Sequence, residues 1–395
     1  MTTVERSYVG RAVYARLGLL AGGLFAMGTN AFVIAGVLPA IAATLGVTPS
    51  QVGYSITFYG LVVAVVAPAV SILLARLSRT TLMAGGLVLI SLGTVVAALA
   101  SSIEIFTVGR VVAALGGAAL VPAATAAAPA IMPAHQRGRA LAIAALGFTL
   151  ATAIGSPLGT ALASVGGWRL PLLILAGLAL VLAGAVALVV RDIPLGAAAS
   201  LRQRFAVLRD GRILLALATT LLLTVSFNVV YFFSSEVTHD LTAGSGTLLA
   251  VLLLLYGLGG MVGTAVTGPV TDRAGSRLTF AVAIGLEIVV FLALPLLTHW
   301  YAATAVAFFV WGVAGFGAVV PLQHRLVGID PAVTGISLSW YSTAMYIGIA
   351  LAPLLGAAAL GAGPQDVPLA GAVVGTLALV AFLVGYAKRA PRVAA

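Results

Sequence analysis

The side chains of this sequence that could do chemistry are few, and two of them lie deep inside long apolar stretches. Arg110 is a fixed cation in one stretch, and Glu287 is the acidic residue inside another. An arginine in such a medium costs roughly 2.5–3.5 kcal/mol on insertion scales, so it should be partnered and functional. A buried carboxyl group can bind and release a proton. Arg110 is therefore predicted to hold substrate or support coupling, and Glu287 to be a candidate proton site.

Each residue also has a purely structural interpretation. Arg110 could clamp backbone carbonyls or Asn30, and Glu287 could be a neutral carboxyl packed against a neighbouring helix. Asn30 and Asn228 carry amides that both donate and accept hydrogen bonds, so they could grip a polar group or hold helices together. Tyr231 belongs to a set of aromatic residues that could form an apolar wall suited to amphipathic compounds: Phe25, Phe32, Phe227, Phe232 and Tyr256.

The elements that must position these residues are twelve apolar stretches, each long enough to cross a bilayer. Hydrophobic residues make up 62% of the 395 positions and charged residues 8%, against about 25% charged in soluble domains. The pattern predicts an all-α membrane protein with transmembrane helices at 16–40, 53–74, 81–100, 105–131, 139–163, 168–190, 213–236, 247–270, 278–298, 301–322, 334–358 and 368–387.

The basic residues predict the orientation of these helices. Eighteen of the twenty lie in the N-terminal tail, in every second gap or in the C-terminal tail, one (Arg169) lies in an alternate gap, and one is Arg110. By the positive-inside rule, both termini are cytoplasmic. The eighteen are Arg6, Arg11, Arg16, Arg76, Arg79, Arg137, Arg139, Arg191, Arg202, Arg204, Arg209, Arg212, Arg273, Arg277, Arg325, Lys388, Arg389 and Arg392.

The composition also bears on other functions. The net charge of +10 is spread singly or in pairs over segment ends, where arginines contact anionic headgroups, so no nucleic-acid partner is expected. There is no cysteine, hence no disulfide or thiol chemistry. The four histidines are too scattered for a metal site, and no phosphate-binding loop is present. No cofactor, metal or enzymatic activity is predicted.

The chain repeats itself at an offset near 198 residues. Arg76 is matched by Arg273, 197 positions on, and Asn30 by Asn228, 198 on. Two prolines, Pro122 and Pro157, are matched by Pro321 and Pro353. This predicts two pseudo-symmetric six-helix halves, 1–190 and 213–395, joined by a basic cytoplasmic linker at 191–212. Parallel repeats of this kind are a transporter architecture with the substrate near the midplane.

Four segments resemble the bacterial twelve-helix drug and small-metabolite efflux branch of the major facilitator superfamily. They are GTNAFVIAGVLPAIAATLGVT at 28–48, VGRVVAALGGAALVP at 108–122, AIGSPLGTAL at 153–162 followed by GWR at 167–169, and GPVTDRAGSR at 268–277. The resemblance implies a cavity lined by helices one, four, seven and ten, and an antiporter motif around Gly155, Pro157 and Gly159. Helix nine, which carries Glu287, is peripheral in that fold.

Two departures from the family pattern concern the carboxylates. Ala75 stands where the loop after helix two normally has an aspartate, whereas Asp272 is present in the second copy. The first helix lacks the acidic residue that relatives often carry near Asn30. Five cytoplasmic charges are predicted to form a latch that pairs in one state and releases in another. They are Arg76, Arg79, Asp272, Arg273 and Arg277. The alternative is that they only set the topology.

The sequence therefore predicts a monomeric secondary transporter in the bacterial inner membrane. It would export a small amphipathic molecule from the cytoplasm, with protons as the exchanged ion. An uncoupled facilitator of a polar metabolite is the alternative suggested by the missing acid in helix one. A transport-inactive sensor or scaffold is the alternative from another class.

Overall fold

The computed structural model describes residues 11–74, 76–191, 193 and 201–387, and across these residues it is helical without a strand. Ala75 and four of the charges used for the orientation, Arg6, Lys388, Arg389 and Arg392, lie outside the described residues. The predicted all-α class is confirmed.

Eleven described helices are long and apolar enough to cross a membrane. One of them, Gly246–Leu297, has 52 residues and contains Gly275 with a non-helical backbone. Because Gly275 divides it into two lengths that can each cross a bilayer, the fold is consistent with twelve spans. They are Arg11–Phe32 with Ile34–Leu45 (span 1), Pro49–Leu73 (span 2), Arg79–Ala98 (span 3), Ile103–Ala130 (span 4), Arg137–Gly166 (span 5), Arg169–Val189 (span 6), Gly211–Phe232 (span 7), 246–274 (span 8), 276–297 (span 9), Tyr301–Ile329 (span 10), Thr334–Ala362 (span 11) and Asp366–Ala387 (span 12).

The sequence predicted a gap of seven residues, 271–277, between spans 8 and 9, and the break in the structure is much shorter. Helix continues through the charged residues of this segment and breaks at Gly275, where φ is 80° and ψ is 154°. Positive φ is readily adopted by glycine because it has no Cβ. The polar residues therefore predicted where spans 8 and 9 meet, but the backbone leaves the helical conformation at a single residue, Gly275.

Short polar side chains begin several of the spans. Thr48 caps span 2 by accepting the Gln51 N–H while Gln51 bonds back to the Thr48 N–H. Ser78, Ser102 and Ser245 accept the N–H three residues on at the starts of spans 3, 4 and 8. These caps satisfy donors that the first helical turn leaves free, so each span can begin at the membrane surface.

Span 5 is widened at its centre by a π-helical turn, Ala151–Gly155. Pro157 follows at the start of Ser156–Gly166, and proline lacks the N–H that would continue the regular ladder. A Cβ on Gly155 would overlap Thr29, and one on Gly159 would overlap Val33. The two glycines thus let span 5 lie directly against span 1.

The spans alternate in direction, so residues 11 and 387 lie at one face of the bundle, named the terminal face. Several side-chain contacts between the two halves lie toward the opposite, distal face. Tyr231 Oη donates to Ser156 Oγ (2.8 Å), and Ser164 Oγ lies 3.3 Å from Thr247 Oγ1. The ring of Phe32 lies 5.7 Å from that of Tyr231. Spans 1 and 5 therefore meet spans 7 and 8 at the distal face.

Spans 2 and 11 meet as far as the middle of the bundle. A Cβ on Gly60 would lie 2.9 Å from the Ala350 backbone nitrogen. Beyond this level the halves separate, because no residue of 65–73 in span 2 and none of 264–270 in span 8 is buried. The two halves are therefore closed together at the distal face and open between them at the terminal face.

Candidate functional site

Arg110 is buried, with 1% of its surface exposed, about 10 Å from the distal end of span 4 at 1.5 Å per residue. Its Nη1 donates to both the backbone carbonyl oxygen (2.6 Å) and the side-chain Oδ1 (2.7 Å) of Asn30 in span 1. The sequence placed these two residues 80 positions apart, and the fold brings them together. The proposed clamp on a backbone carbonyl and on Asn30 is present in the structure.

The amide of Asn30 continues this network into span 3. Asn30 Nδ2 donates to Thr94 Oγ1 (2.6 Å), and Thr94 Oγ1 donates to the Ile90 carbonyl oxygen (2.5 Å). Because arginine only donates and the threonine hydrogen is already used, the amide of Asn30 has one satisfying orientation. Spans 1, 3 and 4 are thereby fixed around the Arg110 charge.

The network leaves part of the guanidinium unused. Within the described part of the chain, Nε and Nη2 of Arg110 have no hydrogen-bond partner. Its Cζ lies 4.4 Å from the ring centroid of Tyr59, a favourable cation–π distance. The one ion pair between described residues joins Arg212 to Asp210, so Arg110 has no carboxylate partner among them. An anionic or strongly accepting group would satisfy its remaining donors.

Tyr231 and Asn228 lie on the same helix but have different contacts. Tyr231 is buried and bonds across to Ser156, whose Oγ donates to the Phe32 carbonyl oxygen (3.1 Å). Asn228 Nδ2 donates to Thr224 O within span 7 (2.9 Å), and its Oδ1 is buried without a partner in the described chain. The two asparagines of the repeat therefore do not share one hydrogen-bond network.

The aromatic residues form a connected set through the middle of the bundle. Rings in contact run from Phe148 and Phe32 in the first half to Tyr231, Tyr256 and Trp311 in the second, with neighbouring centroids 4.2–5.7 Å apart. Phe227 and Phe232 also belong to it, through Phe316 and Phe32. The aromatic residues singled out from the sequence are thus brought together and pack against one another, except Phe25, which has no ring contact in the described structure.

Glu287 has no exposed surface and lies among spans 7, 10 and 12. Ser226 of span 7 is its hydrogen-bond partner, at 2.7 Å from Oε1. Arg110 and Glu287 thus occupy separate sites in the two halves.

The residues predicted to form a latch lie at the terminal face. Arg76, Asp272, Arg273 and Arg277 are exposed, and in the described structure their side chains have neither a hydrogen-bond nor an ion-pair partner. Arg79 Nη1 donates to the Ala126 carbonyl oxygen at the end of span 4 (2.6 Å). The pairing predicted for a latch is therefore not formed among these described residues in this conformation.

A surface cleft of about 540 Å³ lies at the terminal face between the linker and the ends of spans 7 and 11, lined by Gln203, Asp210 and Asp330 among others. Asp210 accepts from the backbone and side chain of Arg212 (both 2.8 Å). Hydrogen bonding from Arg212 holds the pKa of Asp210 below its ordinary value of 3.8. The cleft lies at the terminal face, whereas Arg110 lies nearer the distal face, and Asp210 caps the beginning of span 7.

Five residues at these sites were not anticipated from the sequence: Tyr59, Thr94, Ser156, Ser226 and Trp311. Hydroxyl groups are common in membrane helices, so Thr94, Ser156 and Ser226 give no distinctive signal. Trp311 lies mid-span rather than at a segment end, a position that could have marked it.

The fold and these internal polar sites define a polytopic membrane transporter. A sequence model described as the Major Facilitator Superfamily matches residues 20–353. The chain is 30% identical over 372 residues to the inner membrane transport protein YdhP of Escherichia coli K12, covering 94% of this chain and 95% of that protein. It is 33% identical over 377 residues to a chloramphenicol resistance protein of Streptomyces lividans, covering 93% and 95%.

Solved structures show the same fold. A mutant of the nucleoside transporter NupG has a TM-score of 0.77 and 14% identity, covering 95% of this chain and all of that one. A bacterial homologue of the human lysosomal transporter Spinster, in an inward-facing and occupied conformation, has a TM-score of 0.71 and 18% identity, covering 95% and 97%. The chain belongs to the major facilitator superfamily, whose members are transporters and not enzymes.

Proposed function

We propose that this protein is a secondary active transporter that exports a small amphipathic molecule from the cytoplasm by proton antiport with alternating access. The proposal is carried by two observations together: a buried cation with unsatisfied donors, Arg110, and a connected set of aromatic rings that runs from one half to the other. An amphipathic compound needs both an apolar surface and a polar anchor. The similarity to a chloramphenicol resistance protein supports export of a toxic compound.

The predicted orientation supports the proposed direction of transport. Arginines concentrate at the terminal face, which the positive-inside rule places in the cytoplasm. The opening between the halves then faces the cytoplasm, from which an exporter must load. A reporter fused after Arg204 should report cytoplasm, and one fused near Thr242 should report the outside. A cytoplasmic signal at Thr242 would contradict the twelve-span orientation.

Protons can supply the energy for such export. One proton moving through 100 mV yields about 2.3 kcal/mol, and each pH unit adds about 1.4 kcal/mol. Their sum supports a substrate gradient of roughly several hundred-fold. No nucleotide-binding segment is needed for that amount of work.

The test is uptake of radiolabelled chloramphenicol into everted membrane vesicles containing the protein, because export from the cell becomes uptake in this geometry. An acidic lumen should drive accumulation above the external concentration, and an uncoupler should abolish it. Vesicles with matched amounts of the Arg110→Ala variant provide the control. Equilibration that is insensitive to the uncoupler would instead identify a facilitator, the alternative suggested by the absence of an acidic residue in span 1.

A further inference from the structure

Glu287 takes part in a hydrogen-bonded chain that constrains where protons are. Its Oε1 lies 2.7 Å from Ser226 Oγ, and the same Oγ lies 2.9 Å from the Gly371 carbonyl oxygen of span 12. A serine hydroxyl has one hydrogen to donate, and a backbone carbonyl can only accept. Both contacts become full two-centre hydrogen bonds when Ser226 donates to Gly371 and Glu287 donates to Ser226; the alternative is one hydroxyl hydrogen shared between two acceptors. The arrangement therefore fits a protonated Glu287.

The surroundings of the second carboxyl oxygen lead to the same conclusion. Oε2 is buried without a hydrogen-bond partner in the described structure, and it faces Gly315 of span 10, where an added Cβ would lie 3.1 Å away. Phe227 borders the same point of span 10. An ionised carboxylate with one oxygen bare in such a place would be strongly destabilised, whereas a neutral carboxyl is tolerated.

No charged group of the neighbouring spans is placed to neutralise Glu287. The titratable side chain on its interior side is Tyr256 of span 8. The charged or basic side chains of the spans packed around it lie at their ends, near the membrane surfaces: Arg212 in span 7, Asp272 and Arg273 in span 8, Arg277 in span 9, His324 and Arg325 in span 10, and Asp366 in span 12. Its ionisation would therefore have to be accommodated by a change of structure.

Span 7 connects this site to the closure of the distal face. Ser226 contacts Glu287, and five residues further along the same helix Tyr231 bonds to Ser156 of the other half. If Glu287 loses its proton, Ser226 must turn its hydrogen to the carboxylate and give up Gly371. A change in the protonation of Glu287 is thus transmitted to the helix that holds the two halves together.

We propose that Glu287 is the group that binds and releases the exchanged proton, and that it acts on the distal closure through Ser226 and span 7. This inference rests on the proposed proton antiport. The proton leaves the Oε1–H bond for water when the conformation changes, and Ser226 then donates to the carboxylate in its place. The proton site is thereby separate from Arg110, which stays charged through the cycle.

A first experiment needs no substrate. Purified full-length protein in lipid is titrated with alkali while the infrared carbonyl band of protonated carboxyl groups is recorded. A band that disappears with rising pH is expected in the wild type and absent in Glu287→Gln. Glu104→Gln, the same change at an exposed position, is the matched control and should keep the band. A titration identical in wild type and Glu287→Gln would overturn the proposal.

A second experiment uses chloramphenicol as the probe in everted vesicles. Glutamine can still donate to Ser226, so Glu287→Gln should fold and mimic the protonated state. It should lose at least about tenfold of the accumulation driven by a pH gradient, while exchange of labelled for unlabelled chloramphenicol without a gradient continues. Undiminished pH-driven accumulation in the variant would reject Glu287 but leave proton antiport standing. Wild-type transport that ignores the gradient would reject both.

Discussion

Arg110 and Glu287 are the two most completely buried ionisable Arg, Lys, Asp or Glu side chains in the described structure, and they lie in opposite halves. Arg110 of span 4 donates to two oxygens of Asn30 in span 1, inside the first half. Glu287 has a single hydroxyl neighbour that is itself shared with Gly371. The cation cannot lose its charge, so its site supplies acceptors. The acid can lose its charge by binding a proton, and its site has no cation among the described hydrogen-bond partners.

The repeat makes this contrast sharper. At the offset of 199 found between Pro122 and Pro321, Arg110 corresponds to Phe309. At the offset of 197 found between Arg76 and Arg273, Glu287 corresponds to the buried Ile90. Each half therefore has an apolar residue where the other has its ionisable group. The sequence repeat is thus not kept by the two ionisable groups, which are divided between the halves.

The largest effect is expected from removing the fixed charge. Arg110→Ala leaves Asn30 Oδ1 and the Tyr59 ring without their cation and removes the anchor, so chloramphenicol accumulation in everted vesicles should fall to the level of vesicles lacking the protein. Arg137→Ala, an exposed arginine without a described partner, is the control and should retain transport. Full activity of Arg110→Ala would end the assignment of a binding site to the first half.

A smaller effect is expected at the contact between the halves. Tyr231→Phe removes the hydrogen bond to Ser156, a loss of about 0.5–1.5 kcal/mol, which corresponds to roughly a two- to twelvefold shift away from distal closure. The chain has no cysteine, so Ser235→Cys, at a buried distal position, can report opening by its rate of labelling. The cysteine of Ser235→Cys should be labelled faster when Tyr231→Phe is also present. Position 165 is exposed, so the cysteine of Val165→Cys should be labelled at the same rate with and without Tyr231→Phe.

The terminal-face charges should matter less than either buried group. Asp272→Asn removes a carboxylate that is free in this conformation and available to an arginine in the other, so transport should slow a few-fold with unchanged membrane insertion. Arg76→Ala should do less, because Ala75 leaves it without a local carboxylate. Wild-type rates in both variants would reduce these residues to topology signals.

The smallest effect concerns Asp210, whose pKa is lowered by hydrogen bonding from Arg212. A lowered folded-state pKa stabilises the protein above the ordinary value of 3.8, and this contribution is lost as the pH falls through the lowered pKa. Asp210→Asn should therefore reduce the melting temperature slightly at neutral pH and have no effect at strongly acidic pH. A constant difference across this range would indicate loss of the helix cap alone.

The spans and the two candidate charges could be predicted from the sequence because burial in a membrane requires long apolar runs and makes each exception costly. The contact of Arg110 with Asn30 was one of the predicted alternatives. Its continuation to Thr94 was not, because hydroxyls are frequent in membrane helices and their partners lie far away in the chain. The sharing of Ser226 between Glu287 and Gly371 requires three helices to bring their oxygen atoms within 2.9 Å of the Ser226 hydroxyl. No local sequence pattern encodes such an arrangement.

Span 1 shows a second limit of sequence-based prediction. The apolar stretch predicted one helix over 16–40, whereas the structure interrupts it between Phe32 and Ile34 and extends it to Leu45. Pro39 lies within the second segment, and Gly46 ends it with a positive φ of 67°. Hydrophobicity alone does not locate such an interruption, because the residues on both sides of it are apolar.

The break at Gly275 has a mechanical consequence for how the second half moves. Spans 8 and 9 are joined by one residue, so no flexible loop separates them. A displacement of one span at the terminal face therefore displaces the other. Gly257 of span 8 lies against Ala153 at the contact between the halves, and Glu287 lies on span 9. The short connection therefore couples a tilt of span 8 at the contact between the halves to span 9, the helix that carries Glu287.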